Sequence, residues 1–184
     1  MTKLDAINRM LRLVQAEPLT SLAEEDLTYE QQTAIELFEQ IDRFVQAQGW
    51  WFNTFVVTLT RDANGFIVIP ESYLQVDPVD PTIDAVPSNG KLYDRTKKTY
   101  VFDRDVEVEA VVLLDFEELP PTAQEYITVK AEGAMLRAIY GATTDNSLVM
   151  REQEAYLAMM RQQNNAADYN VHKNPQIMRA MWRW

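Results

Sequence analysis

Few side chains in this 184-residue chain are of types that do chemistry on their own. It has one histidine, His172, and no cysteine, which removes thiol nucleophiles, disulfides, thiolate zinc sites and histidine-rich metal centres together. A Ser-His-Asp arrangement would need His172 held against a buried serine; in a C-terminal segment a surface or interface histidine is the expected reading. Asp77, Asp80 and Asp84 are calcium-type ligands by chemistry, but Pro78 and Pro81 lie among them and no glycine makes the tight ligand turn, so a solvated loop is expected. The five glycines are scattered and form no phosphate cradle. What remains is carboxylate chemistry. Asp115, Glu117 and Glu118, near the end of a predicted strand, are where a general acid and its partner could meet across a glycosidic bond. A charged strand-to-helix connection is the other reading of the same residues. No catalytic, cofactor-binding or metal-ligating residue is assigned, and glycan hydrolysis by paired carboxylates is kept as the alternative function.

A second constellation lies at the C-terminus. After Asp168 there is no acid, and Tyr169 to Trp184 interleaves His172, Lys173, Arg179 and Arg183 with Ile177, Met178, Met181, Trp182 and Trp184. Basic and aromatic residues together bind single-stranded nucleic acid, yet Trp, Met and Arg also fill protein–protein hot spots. The rest of the chain decides between them: the net charge is −11, and eight acids with no Lys or Arg lie between Leu13 and Asp42. A basic segment beside an acidic body favours a protein partner, with a frayed terminus as the plainer alternative.

The elements that must position these residues centre on one helix. Thr28 is an N-cap, Ile35, Phe38, Ile41, Phe44 and Val45 recur at steps of three and four, and Gly49 ends the helix just before Trp50-Trp51-Phe52-Asn53. Gly49, Trp50, Trp51 and Phe52 therefore form a junction between helical and extended chain. A shorter amphipathic helix, Leu4 to Gln15, precedes it. Beyond Asn53 the pattern becomes extended. Residues 54–60 and 66–69 read as a hairpin around Asp62-Ala63-Asn64-Gly65, 73–76 as a short strand, and 77–84 as a proline-bearing loop. Residues 91–93 and 100–102 read as strands joined through 94–98, and Val106 to Leu114 as a strand that starts by alternation and ends as a continuous apolar run. Pro120-Pro121-Thr122 opens a helix running to Gly141, and a last helix from about Asp145 to Asp168 carries Leu148, Met150, Ala155, Leu157 and Met159.

The predicted fold is α+β: a discontinuous four-helix bundle with an inserted β-rich subdomain and an extended C-terminal tail. Residues 1–53 are the first half of the bundle, 54–115 the β-rich insertion, 116–168 the second half, and 169–184 a docking tail. No apolar run approaches the ~20 residues of a membrane span. The start, Met1-Thr2-Lys3-Leu4-Asp5, lacks the apolar core of a signal peptide, so a soluble protein of a reducing cytoplasm is expected.

Several segments resemble one family. Gln40 to Asn53 is similar to the helix-then-GWxFN segment of the tail tubular protein A family, the adaptors of short-tailed bacteriophages. Leu92-Tyr93-Asp94-Arg95-Thr96 resembles its YDRT turn, Leu114 to Pro120 followed by Tyr126 to Ala131 its strand-to-helix junction, and Tyr140-Gly141-Ala142 the end of that helix. The resemblance runs in the same order over roughly residues 4 to 170. It implies a structural virion protein without enzymatic activity or cofactor, assembled in the host cytoplasm. Its subunits would form a ring of about twelve below the portal protein, with a tubular protein B-like nozzle beneath. DNA would pass through the channel on ejection without specific binding. The acidic run 13–42 is expected on solvent- or lumen-facing surface, and the tail along the portal.

Overall fold

The computed structural model describes residues 1–23, 26–141 and 146–166. Thr2 starts the first helix, α1 (Lys3–Leu13), with a capping box: its hydroxyl accepts the Asp5 N–H at 3.1 Å, and the Asp5 carboxylate accepts the Thr2 N–H at 3.1 Å. The helix buries Ala6, Ile7, Met10 and Leu11. It stops short of Gln15, which takes φ 56° while Ala16 N–H reaches back to the Leu11 carbonyl at 3.0 Å. That is a Schellman-type ending made without glycine.

Thr28 and Gln31 form the same kind of cap for α2 (Tyr29–Gln46). The stripe through Gln31, Ala34, Phe38 and Val45 is buried, and Ile35 and Ile41 are partly so. Phe44 departs from expectation: it falls beyond the edge of that stripe and is 59% exposed. Helix α3 (Pro121–Tyr140) opens on Pro121, whose missing N–H is harmless in the first turn. It packs against α1, α2 and α4 (Asn146–Ala166), so it is buried on most sides over its first four turns. Helix α4 buries only Leu148 and Met159; the expected core residues Met150 and Leu157 lie on its outer face, 69% and 45% exposed. Phe116, in a single 3₁₀ turn before α3, packs edge-on against Phe38 at 5.0 Å and joins the two stretches of helical sequence in one core.

The extended region pairs differently from the sequence pattern. Strand β1 (Thr54–Leu59) does not form a hairpin with 66–69. It pairs antiparallel with β5 (Val106–Val112), which also pairs with β2 (Tyr73–Pro78), giving the order β1-β5-β2. Residues 66–69 make only isolated bridges, Arg61 to Ile67, Phe66 to Val101 and Val68 to Lys91. A second antiparallel pair joins β3 (Ala85–Ser88) to β4 (Lys91–Asp94) through the Asn89-Gly90 turn, where both residues have positive φ. Residues 100–102 are therefore not the partner of β4. Strand β2 runs through Asp77-Pro78, in a stretch predicted as loop. This is tolerated because β2 is an edge strand: Val79 N–H donates to the Glu107 carbonyl at 3.0 Å, so Pro78 N points away from β5.

Alternation in β5 sorts its residues onto two faces. Val106, Val108 and Ala110 share a core with Leu59, Ile67, Val76, Ala85, Leu92 and Phe102, while Glu107 and Glu109 are exposed opposite them. The architecture is α+β, with one core among the helices and another between the three-stranded sheet and the β3–β4 hairpin.

Candidate functional site at the helix–sheet junction

The two cores meet where α2 ends. Gly49 has φ +74° and its N–H returns to the Gln46 carbonyl at 3.2 Å. A Cβ at this position would stand 3.2 Å from Val111 Cγ2, so the residue is fixed both by the turn and by close approach to β5. Trp50 is buried and its indole N–H donates to the Val45 carbonyl at 2.7 Å. Trp51 packs edge-on between Trp50 and Phe52, with centroids at 6.4 and 5.0 Å. Its backbone N–H donates to Gln163 Oε1 at 2.8 Å, which ties the junction to α4.

Two buried amides complete the joint. Asn53 Oδ1 accepts from Trp50 N–H at 2.8 Å, and its Nδ2 donates to the Gln46 and Val112 carbonyls at 2.9 and 3.0 Å. Gln46, with no exposed surface, accepts from Leu114 N–H and donates to the Leu114 carbonyl and to Asp42. A helix side chain thus satisfies the backbone just past the end of β5, where the ladder has no further strand to offer. Gly49, Trp50, Trp51 and Phe52 were singled out as a junction from sequence. Gln46 was not, and the available signal was an amide at the end of an apolar helical stripe.

Beside this joint lies a cleft of about 520 Å³, lined by Lys3, Glu39, Asp42, Arg43, Ser72 and residues 113–117. Three of its carboxylates are engaged: Glu117 accepts the Lys3 N–H at 2.8 Å, Glu39 pairs with the Lys3 ammonium at 2.8 Å, and Asp42 accepts from Gln46. Burial holds the Asp42 carboxyl above the usual carboxylate range. Asp115, Glu117 and Glu118 flank or form the 3₁₀ turn that links β5 to α3, as a strand-to-helix connection. Asp80 and Asp84 are held by Thr82 with Arg104 and by Arg95, and Asp77 lies on β2. Among the described residues no group of three His, Cys, Asp or Glu could hold a metal ion.

A second polar cluster positions α4. Glu132 is 3% exposed, and its Oε1 accepts from Arg9 Nε at 3.0 Å. Its Oε2 stands 3.2 Å from Arg151 Nη2 without hydrogen-bond alignment. Arg9 also grips Glu125 through both terminal nitrogens, at 2.8 and 3.1 Å, and holds that carboxyl below its ordinary range. Of the acidic run, Glu17, Asp26, Glu36 and Glu39 are exposed. The tail residues His172, Lys173, Ile177, Met178, Arg179, Met181, Trp182, Arg183 and Trp184 lie outside the described residues, as do Glu24 and Glu25.

A family model described as tail tubular protein matches residues 4–169, a span that holds both cores and the junction. The chain belongs to the tail tubular protein family. A relative, tail tubular protein A of Klebsiella phage KP34, is 28% identical over 118 residues, 64% of this chain and 63% of its own length. The chain thus matches less than two thirds of that relative. Tail tubular proteins are structural components of the phage tail, and the glycan-hydrolase alternative finds no support in this membership. No helix among the described residues is long and apolar enough to cross a membrane.

Proposed function

We propose that this protein is the head-to-tail adaptor of a short-tailed bacteriophage, a ring of about twelve subunits between the portal protein and a tubular protein B-like nozzle. The family match over residues 4–169 carries this reading. The junction around Gly49 to Asn53 supports it physically, because an adaptor must keep two surfaces in fixed register under load. A double amide clamp between helix end and sheet end is a stiff connection.

In this reading residues 1–53 and 116–168 are two halves of one four-helix bundle, 54–115 is a β-rich insertion, and 169–184 is a tail that docks along the portal. Separate hydrophobic cores for helices and strands support the division. The net charge of −11 suits a channel through which DNA passes without sticking. The role is assembly, without turnover or cofactor, in the virion tail after synthesis in the host cytoplasm.

The test is the mass of the purified protein by light scattering, alone and with its cognate portal, for the full chain and for one cut after Asp168. The full chain is expected to join the portal as a multi-subunit complex and the shortened one is not. Binding by neither form overturns the adaptor reading; equal binding by both removes the tail from it.

A further inference from the structure

The outward face and free edge of the β1-β5-β2 sheet have features that the isolated chain does not use. Strand β1, Thr54-Phe55-Val56-Val57-Thr58-Leu59, has a hydrogen-bonded neighbour on one side only. It carries no charge, proline or glycine that would protect an edge. Phe55 and Val56 are 43% and 59% exposed. On the outward face beside it, Val56 stands opposite Glu109, and Thr58 opposite Glu107. Glu109 is in turn directly opposite Asp77 of β2, a like-charge cross-strand pair that disfavours the sheet. Among the described residues none of Asp77, Glu107 and Glu109 has an ion-pair partner. An apolar edge flanked by uncompensated carboxylates lacks a cationic surface from outside.

The chain carries such a surface elsewhere. The turn after β4 presents Lys97 and Lys98, both exposed and, among the described residues, without an ion pair, in a molecule of net charge −11. The turn is built to hold its shape: Lys97 N–H donates to Asp94 Oδ1 at 2.8 Å, Lys98 takes φ 54°, and Asp94 bridges to Thr99. The inward face of the sheet shares its core with Ala85 and Leu92 of the β3–β4 hairpin. Within one copy, no ion pair among the described residues joins Lys97 or Lys98 to Asp77, Glu107 or Glu109.

We propose that a second copy of this chain occupies the site, its Lys97-Lys98 turn seated on the Asp77, Glu107 and Glu109 face and covering the β1 edge at Val56, which shares that face. Two different surfaces of one subunit make a heterologous contact, the kind that closes into a ring when repeated. This rests on the reading of the protein as a multi-subunit adaptor and names the surfaces through which its subunits meet.

Charge reversal tests it on the full chain. Glu107→Lys with Glu109→Lys, and separately Lys97→Glu with Lys98→Glu, put like charges on both sides of the contact. Each is expected to raise the concentration for half-assembly by about tenfold or more. Mixing the two variants, or combining all four substitutions in one chain, restores complementary pairs and assembly to near the wild-type level. Val56→Lys, on the free edge, weakens assembly and is not rescued by either partner. An unchanged circular dichroism spectrum and a melting temperature no lower than wild type, with Glu109→Lys expected to raise it by facing Asp77, exclude misfolding of these surface variants. Wild-type protein that stays monomeric alone and with the portal overturns both the contact and the multi-subunit reading. Wild type that assembles while the reversals assemble as well, or fail without mutual rescue, overturns the contact alone and points to a portal or nozzle surface on this face.

Discussion

Gln46 and Leu114 are paired as two strand residues would be: Gln46 Oε1 accepts the Leu114 N–H at 2.9 Å, and Gln46 Nε2 donates to the Leu114 carbonyl at 3.0 Å. Gln46→Ala leaves a part-buried donor and acceptor without partners at the joint between α2 and the sheet. The expected loss is about 2–3 kcal/mol in urea unfolding. Gln46→Glu keeps the acceptor but loses both donated bonds and adds a charge beside Asp42. It is expected to cost more at neutral pH than Gln46→Ala; an equal or smaller loss would mean that the clamp does not carry the joint.

Gly49 and Gly90 separate conformational strain from close approach. Both have positive φ, +74° and +71°, but a Cβ at Gly49 meets Val111 at 3.2 Å while at Gly90 it meets nothing within 4 Å. Gly90→Ala should cost about 1 kcal/mol from backbone strain alone. Gly49→Ala should cost about 1–2 kcal/mol more, because β5 must shift to admit the methyl group. Equal melting temperatures for the two variants would show that the sheet yields freely at Val111.

The helices were legible because their signals are local. Thr28 and Pro121 mark helix starts by chemistry that acts within one turn and stand at those starts, while Gly49 makes the turn two residues past the α2 C-cap, Ala47. The strands around β5 were legible as strands but not as partners. β1 and β5 are separated by the whole hairpin region, and no short-range pattern says that Thr54 faces Val111 rather than residue 69. Phe44, Met150 and Leu157 show a second limit. Apolar residues at helical spacing reveal a stripe, but not its width or whether another molecule covers its margin. At the junction the aromatic cluster was visible from sequence, whereas Gln46 was not, because a polar residue on an apolar face acquires meaning only from the backbone that it meets.

Asp42 links stability to pH. Desolvation raises its folded-state pKa above the unfolded value of 3.8, so at pH above the folded value the charged form counts against the native state. As the pH falls through the folded value toward 3.8, the native state takes up the proton first and that penalty fades. Asp42→Asn keeps an oxygen for Gln46 and removes the charge. The variant should melt higher than wild type at pH 7, and the gap should close between the folded value and 3.8. A gap that is constant from pH 7 to pH 4 would assign the effect to packing.

Arg9 and Glu132 make the clearest test of how α1 is held to α3. Glu132 is 3% exposed, and Arg9 supplies its one well-aligned hydrogen bond among the described residues; Arg151 is close but misaligned. Arg9→Met leaves a buried carboxylate short of its main partner, and the expected cost is about 3–5 kcal/mol. Adding Glu132→Met replaces the pair by apolar groups and should recover most of that loss, whereas Arg151→Met alone should cost less, its side chain being 45% exposed. The pH dependence separates the two partners of Arg9. Arg9 holds the Glu125 pKa below 4.5, so this contact contributes fully above that value and is lost as the pH falls through the folded one. Wild type should therefore lose this part of its advantage over Arg9→Met in acid. The four-way comparison of wild type, both single variants and the double variant measures the coupling, and strict additivity would show that Arg9 and Glu132 stabilise the fold independently.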